Sequence, residues 1–458
     1  MEVLLGKKAI AKVRKHLTAE NVQIFLLLIP LAVLLAQEIR TGGFEFGSFF
    51  ETSILVAFLF LALASLIAKA LSDLSGRRVE DSAKLTEDYD ALVSKYSREK
   101  MVRHPNPPAS SAGKTEWATI PFVALDARDT DDEPYELIVK DSPGTWYELP
   151  SQVASRSEKQ MGAHDFSTVY NNTNVRLDDV AFEGKKALLQ TSRTTYADSL
   201  LTNRAMDYPW EKGRSVRETF EPGPFLRRLP DSRLSNHLGF NGFIELSDGH
   251  LVFVVRSRQV SVAKGTLSTS VAASMKAAYC LNDQQELTAQ GISDAIRLEI
   301  VDELGIELPR GEDLTKTIFA FYREVVEGGK PQLLFYLKLG DLDRKGFELL
   351  QRKRTAAEGP VGPADLGFRD RLRRRRNKEW RTAVDGSEFV YLTPQDLVGA
   401  TLRSHCLTLK DGTRYAMTPT VSGATALLLQ YLGLVPRDGA DRREERRSGR
   451  ATCAASVC

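Results

Sequence analysis

Hydrophobic residues are distributed in different ways along the chain. Residues 22–36 and 52–68 are largely apolar runs without a charge. From residue 116 onward, short apolar segments are separated by turn-forming residues, which is the pattern of β-strands. Residues 294–304 and 422–434 instead carry apolar side chains at helical spacing. The pattern predicts a membrane-associated N-terminal part followed by a mixed α+β part.

The two N-terminal apolar runs are long enough to form a transmembrane hairpin. A spanning helix needs about 20 apolar residues, with about 17 as the lower limit. Residues 52–68 reach that length alone, and 22–36 reach it when Gln23 and Gln37 lie near the headgroups. A signal peptide is the alternative for the first run, because basic residues precede it, but no convincing cleavage site follows. We predict a two-helix hairpin over 21–72.

Basic residues on both sides of this hairpin predict its orientation. Five lysines or arginines lie in the N-terminus 1–20 and four lie in 69–84, whereas the loop 38–51 contains only Arg40. Lysine and arginine are concentrated on the cytoplasmic side of membrane proteins. We therefore predict a multi-pass membrane protein with both termini and the large domains in the cytoplasm.

The chain beyond the hairpin divides into segments of different composition. We predict a charged helix and a Pro/Ser-rich linker over 73–115 and a small mixed α/β domain over 116–233. A larger α+β domain follows over 234–435 and contains a basic insert at 351–381. The charged tail 436–458 is predicted to be disordered.

The segment "RLEIVDELGIEL" belongs to a predicted helix over 294–304. Ser293 is a suitable N-cap, and Gly305 is suited to end the helix in a left-handed conformation. Apolar residues recur every four positions and predict its buried stripe: Ile296, Ile300 and Leu304.

Three carboxylates share the adjoining side of this helix. Glu299, Asp302 and Glu303 stand at i, i+3 and i+4, where like charges cost about 0.2–0.5 kcal/mol per pair. Arg297 lies on the other side of the stripe and cannot easily neutralise them. A divalent cation such as Mg²⁺, which prefers oxygen ligands, would remove the repulsion. A solvated acidic face is the alternative.

The order of elements around this helix resembles the Nudix superfamily. Two strands joined at Asp248-Gly249, an irregular loop, the acidic helix, further strands and a closing helix follow one another over 235–434. The family's sequence box ends in R-E-U-x-E-E-x-G-U, where U is aliphatic. The resemblance implies a Nudix-like α/β/α sandwich with a mixed sheet, preceded here by the transmembrane hairpin and the small mixed domain.

The same resemblance implies a site and an activity. With Gly305 on the family glycine, it implies that Glu299, Asp302 and Glu303 bind Mg²⁺ or Mn²⁺ and that Glu299 and Glu303 are catalytic. The implied reaction is hydrolysis of a nucleoside diphosphate-linked substrate. Leu298 stands where the family has arginine, and glycines of the box are missing. These departures favour a second interpretation, a catalytically inactive nucleotide sensor or signalling scaffold at the membrane.

Basic side chains supply candidate contacts for the substrate. Arg256 and Arg258 follow the predicted strand "LVFVV" and would share a face if the strand continued. Guanidinium groups pair bidentately with phosphate, although a solvated strand end is the alternative. A net charge of only +2 does not favour nucleic acid. The predicted partners are a nucleotide or another phosphate-containing small molecule and the lipid bilayer, and the oligomeric state stays open.

Other chemistries have little support in the sequence. The four cysteines show no metal-binding spacing, and the six histidines form no His-Glu-x-x-His motif. His237 in "LSNHLGF" is the most suggestive histidine, and a structural role is the favoured interpretation.

Overall fold

The computed structural model describes residues 85–108, 115–157, 172–210, 214–256, 265–309, 311–357 and 388–437. The predicted hairpin, Arg258, most of the basic insert and most of the tail lie outside the described residues. Among the described residues, no helix is both long enough and apolar enough to cross a membrane. All described residues belong to one unit, Glu80–Cys458.

The described residues form fifteen strands. Their bounds are β1 Met101–Asn106, β2 Glu116–Ala127, β3 Glu136–Trp146, β4 Thr173–Glu183, β5 Lys186–Thr195, β6 Gly239–Glu245, β7 Leu251–Val255, β8 Leu267–Ser268, β9 Val271–Ser274, β10 Ile318–Glu324, β11 Lys330–Lys338, β12 Glu388–Leu392, β13 Thr401–Arg403, β14 Cys406–Thr408 and β15 Arg414–Ala416.

Nine α-helices are present in the same ranges. Their bounds are α1 Tyr89–Lys95, α2 Ser151–Ala154, α3 Tyr196–Leu201, α4 Val216–Phe220, α5 Ala277–Cys280, α6 Ala289–Leu304, α7 Arg344–Ala357, α8 Pro394–Val398 and α9 Pro419–Tyr431. Short 3₁₀ turns cover Asn203–Ala205, Leu229–Asp231 and Leu314–Thr317.

The largest sheet of the described part contains nine strands. Its order is β1-β2-β10-β11-β6-β7-β12, with β9 paired to β6 and β8 paired to β7. Strands β6 and β11 are parallel, whereas β10 and β11 are antiparallel. A second sheet, β3-β5-β4, also combines parallel and antiparallel pairs, and β13-β14-β15 form a third. The α+β class with mixed sheets, which the sequence predicts, is confirmed.

Buried side chains form separate clusters on the two faces of the large sheet. Leu333 and Phe335 of β11 belong to one cluster, whereas Leu334 between them belongs to the other, as expected because successive strand residues point to opposite faces. Helix α6 contributes Ile296 to the first cluster, and α9 contributes Leu428 to the second. The sheet therefore lies between the layers to which α6 and α9 belong.

The predicted helix and linker, 73–115, contain a strand that the sequence did not predict. Residues Met101–Asn106 form β1, which pairs with β2 at the edge of the large sheet. Pro105 obscures the strand pattern in the sequence, and proline is tolerated in a strand at an edge. Strand β2 in turn pairs with β10. The start of the predicted domain 116–233 is therefore part of the same sheet as the segment with the Nudix resemblance.

The acidic helix is longer than predicted. It begins at Ala289, and the side chain of Thr288 caps it by accepting a hydrogen bond from the amide of Gly291. The prediction of Ser293 as N-cap is wrong, because Ser293 is buried within the helix and its Oγ accepts from the amide of Leu314 at 2.9 Å. Gly305 ends the helix at φ 68° as predicted, and the predicted apolar stripe is fully buried.

Candidate functional site

A cavity of about 830 Å³ lies where several elements meet, and we call it the central cavity. Its lining includes residues 85–87, the first residue of α1, the end of β10, the start of β11 and the first residues of α9. Pockets of about 300–1,000 Å³ suit small-molecule ligands. Its size therefore allows a ligand as large as a nucleotide.

Charged residues of both signs line the central cavity. The basic ones are Arg204, Arg256 and Lys330. The acidic ones are Glu87, Glu324 and Glu327. A lining of this kind suits a ligand that carries anionic groups together with polar groups of other types.

Local structure fixes Arg204 at the cavity. It lies in the 3₁₀ turn Asn203–Ala205, directly after α3. The Asn203 amide donates to the Asn236 side chain at 3.2 Å and to the Glu327 carbonyl at 2.8 Å. The turn with Arg204 is thereby tied to the turn between β10 and β11, which carries the charged cavity residue Glu327.

The charge of Arg204 acts on Arg256 at the cavity. Burial lowers the pKa of Arg256, and the like charge of Arg204 lowers it further. Neither arginine forms an ion pair with another described residue within 4.0 Å, and the Nε atoms of both are buried without an acceptor among the described residues. Two half-buried cations, each with an Nε that has no acceptor, form an electrostatic arrangement that an anionic ligand would stabilise.

Glu324, Glu327 and Lys330 form a second charged group in the cavity. Lys330 Nζ lies 3.3 Å from Glu327 Oε2. Burial and the neighbouring Glu327 raise the pKa of Glu324 to about 7. Burial opposes the charge of Glu327 as well, but Lys330 and Arg204 lower its pKa. Glu324 therefore takes up a proton more readily than an ordinary carboxyl group.

The first carboxylate of the acidic helix contacts a cation of the protein itself. Lys276 Nζ lies 2.5 Å from Glu299 Oε1, and the Glu299 side chain is 1% exposed. The two side chains form an ion pair, almost fully buried at the Glu299 carboxylate. Burial raises the pKa of Glu299, and Lys276 partly opposes this effect.

The other two predicted ligands also have partners within the protein. The Tyr279 hydroxyl donates to Asp302 Oδ2 at 2.7 Å. The Ala272 amide donates to Glu303 Oε2 at 3.2 Å. Burial and the neighbouring Glu299 raise the pKa of Glu303 to about 8, whereas Arg256 lowers it. Because Ala272 and Arg256 both line the central cavity, Glu303 connects the acidic helix to that cavity.

These contacts bear on whether the three carboxylates suit a divalent metal ion. Within the ranges that the structure describes, no three His, Cys, Asp or Glu side chains are grouped closely enough to hold one. A hard cation at Glu299 would have to displace Lys276, and one at Asp302 would compete with Tyr279. The residues as arranged do not fit the ion, and the metal site stays a prediction of the sequence.

Two basic residues of this region were not candidates in the sequence. Lys330 lines the cavity and Lys276 contacts the acidic helix, and no spacing connects these single residues before the chain folds. Of the two arginines predicted to contact phosphate, Arg256 lines the cavity and Arg258 lies outside the described residues. His237 does not line the cavity; it is fully buried, and burial lowers its pKa well below the usual value, as expected for a neutral structural histidine.

Comparison of the chain with models of known protein families and with curated proteins found no match.

Proposed function

We propose that the central cavity binds a nucleotide or another phosphate-containing small molecule, and that the protein acts as a sensor of this ligand without hydrolysing it. The observation that carries the proposal is the pair of half-buried arginines, Arg204 and Arg256, which line one cavity and have no acidic partner within 4.0 Å among the described residues. Phosphate supplies several acceptor oxygens and at least one negative charge to such a pair.

The contact between Lys276 and Glu299 supports binding without hydrolysis. An ammonium group already neutralises the carboxylate that the Nudix resemblance assigns to the metal. A ligand held by arginines needs no divalent ion to balance its charge. We propose a Nudix-like α/β/α sandwich as the fold of this domain, supported by the sheet order and by the layers to which α6 and α9 belong.

We propose that this sensor is attached to the membrane by the hairpin 21–72, with its large domains in the cytoplasm. Support comes from the two uncharged apolar runs and from the basic residues that flank them. A sensor in this position would report a cytoplasmic ligand to a membrane-embedded segment of the same chain.

Hydrolysis of a nucleoside diphosphate-linked substrate with Mg²⁺ or Mn²⁺ is the second candidate. The observation in its favour is the crowding of Glu299 and Glu303, because burial raises the pKa of both carboxyl groups and the charge of Glu299 raises that of Glu303 further. A divalent cation would relieve that crowding. Under this alternative, Glu299, Asp302 and Glu303 are ligands, and Glu299 and Glu303 take part in the reaction.

Calorimetric titration of the full-length protein tests the binding proposal. ATP, GTP, CTP, UTP and inorganic tripolyphosphate are the probes, and we expect at least one to bind. Arg256→Gln should weaken binding about 10- to 150-fold, because charge-assisted hydrogen bonds contribute about 1.5–3 kcal/mol. The matched control is Arg228→Gln, since the Arg228 side chain is 79% exposed. Absence of binding by the wild type, or equal affinities of wild type and Arg256→Gln, would contradict the proposal.

A further inference from the structure

One buried guanidinium group is hydrogen-bonded to several segments around the central cavity. Arg217 of α4 donates from Nε and Nη2 to the two carboxylate oxygens of Asp207 at 2.7 and 2.8 Å. Its Nη1 donates to the Val325 carbonyl at 3.0 Å and to the Tyr96 hydroxyl oxygen at 3.3 Å. Its Nη2 also donates to the Val326 carbonyl at 2.6 Å. All five N–H groups of this guanidinium therefore have acceptors.

These acceptors fix three segments that supply lining residues to the cavity. Asp207 Oδ2 also accepts from the amide of Thr86 at 2.9 Å, and Thr86 lines the cavity. Asp207 follows the 3₁₀ turn that carries Arg204. Val326 lines the cavity in the turn between β10 and β11, and so does the next residue, Glu327. One guanidinium therefore holds together parts of the cavity wall that come from three regions of the chain.

The hydroxyl group of Tyr96 extends this connection to the end of α1. It accepts from Arg217 and donates to the Glu221 carbonyl at 2.6 Å, and Tyr96 is fully buried. Residues 85–96, which we call the α1 segment, are thus connected to the same guanidinium near both ends. Lysine concentrates its three donors on one atom, so it cannot replace the planar fork of arginine in these contacts.

The docking of the α1 segment and the affinity for a ligand are linked through the cavity wall. A ligand that contacts lining residues of the segment binds more tightly when the segment is docked than when it has moved away. Reciprocity then requires that the ligand stabilise the docked segment by the same factor. Arg217 acts on both quantities, because it holds the α1 segment and the other parts of the wall in one arrangement.

We propose that Arg217 is a positioning residue of the central cavity, which fixes the cavity wall and transmits occupancy of the cavity to the α1 segment. This inference rests on the proposed ligand-binding function and adds its regulation. The α1 segment is the part of the wall nearest in sequence to the proposed hairpin 21–72. Tighter docking of this segment is the signal that a sensor at the membrane would pass on.

The test compares two buried arginines that form similar ion pairs. The side chains of Arg217 and Arg193 are both 3% exposed. Arg193 of β5 donates to both carboxylate oxygens of Asp141 at 2.8 and 2.6 Å and also to the carbonyls of Ser192 and Gln285. These acceptors are not among the described residues that line the central cavity. Arg193→Lys is therefore the matched control for Arg217→Lys.

Calorimetric titration of the full-length protein measures the affinity, with the tightest-binding of ATP, GTP, CTP, UTP and tripolyphosphate as the probe. Arg217→Lys should weaken binding about 5- to 150-fold, the usual size of such coupling. Asp207→Asn, which removes the charge paired with Arg217, should also weaken binding and decides the question if Arg217→Lys does not fold. Arg193→Lys should keep the wild-type affinity. All titrations are made at a temperature at which unfolding curves show the variants to be folded.

Hydrogen exchange measures the transmission to the α1 segment. In the wild type the probe should slow amide exchange in residues 85–96, and at saturation of Arg217→Lys it should slow this exchange less. A merely structural role of Arg217 would lower stability and leave the effect of the probe on exchange unchanged.

Three results would overturn the inference. The first is wild-type affinity in both Arg217→Lys and Asp207→Asn. The second is a loss of affinity in Arg193→Lys as large as that in Arg217→Lys. The third is wild-type exchange in residues 85–96 that the probe does not slow. If the wild type binds none of the probes, the ligand-binding function itself fails, and the role of Arg217 fails with it.

Discussion

The ammonium group of Lys276 determines how the acidic helix is neutralised. Its Nζ contacts Glu299 and lies 4.8 Å from the centre of the Tyr279 ring, whose hydroxyl binds Asp302. Lys276 therefore links two of the three carboxylates that the sequence assigns to a metal. No spacing in the sequence connects Lys276 with Glu299. The sequence therefore leaves two ways to neutralise the carboxylates, a metal ion or solvent, and does not suggest the third, an ion pair with a lysine of the same chain.

Replacement of Lys276 by methionine is expected to destabilise the protein. Glu299 would stay buried without its cation and would have to take up a proton or remain charged, at a cost of about 1–3 kcal/mol. The free energy of unfolding from urea titration measures the effect. The double variant Lys276→Met/Glu299→Gln removes both charges and should recover most of the loss. Equal stability of wild type and Lys276→Met would show that the ion pair is unimportant.

The raised pKa of Glu303 predicts a dependence of stability on pH. Its pKa is about 8 in the folded protein against 4.5 for the free side chain. Between these values the folded state holds a proton that the unfolded state has lost, so the contribution of Glu303 to stability falls as pH rises from about 4.5 to 8. Glu303→Gln should flatten this decline.

Urea titrations of wild type and variant between pH 5 and pH 8.5 measure this decline. Glu307→Gln is the matched control, because Glu307 is exposed and lies three residues beyond Leu304, the last residue of the same helix. The control should keep the wild-type decline. A Glu303→Gln variant whose stability falls with pH as steeply as that of the wild type would contradict the assignment.

At the scale of elements, helix α6 shows what the sequence pattern predicts and what it omits. The apolar stripe and Gly305 predict the buried side and the end of the helix, because both depend on local spacing and backbone conformation. The prediction of where α6 begins is wrong, because both Thr288 and Ser293 are residue types that commonly cap the N-terminus of a helix. Tertiary contacts decide between them, since Ser293 is needed to bind the amide of Leu314.

A close contact between α6 and α5 predicts that Gly291 tolerates no side chain. A Cβ at Gly291 would lie 1.9 Å from the carbonyl oxygen of Cys280, so one of the two helices would have to shift. Gly291→Ala should lower the free energy of unfolding by about 1–3 kcal/mol, as overpacking does. The control is Gly144→Ala in β3, where a Cβ would meet no atom within 4 Å. A Gly291→Ala variant as stable as the wild type would contradict this packing.

At the scale of the whole molecule, the sequence predicts the α+β class and most core strands but not the central cavity. Strands such as β7 and β11 carry local apolar signals. The cavity is built from Arg204, Arg256, Lys330, Tyr89 and His405, which lie up to 316 positions apart in sequence. Their convergence depends on strand order and on the packing of segment 85–89, which periodicity does not encode.

The proposed orientation of the chain in the membrane predicts a pattern of labelling. In a Cys453→Ser/Cys458→Ser background, Ser48→Cys should react in intact cells with a thiol reagent that cannot cross the membrane. Arg228→Cys should react only after the cells are opened. Cys280 and Cys406 contribute little background because both are buried. Reaction of Arg228→Cys but not Ser48→Cys in intact cells would contradict the proposed topology.

The central claim is that the cavity binds a phosphate-containing ligand without a metal and without hydrolysing it. The most direct measurement is a calorimetric titration of the full-length protein with the tightest-binding nucleotide, carried out once in excess EDTA and once in Mg²⁺ or Mn²⁺. Phosphate release and nucleotide integrity are followed in the same samples. We expect comparable affinity in both conditions, recovery of the intact nucleotide, and weaker binding by Arg256→Gln. Binding that requires the metal, or conversion of the nucleotide when metal is present, would contradict it and favour the hydrolase.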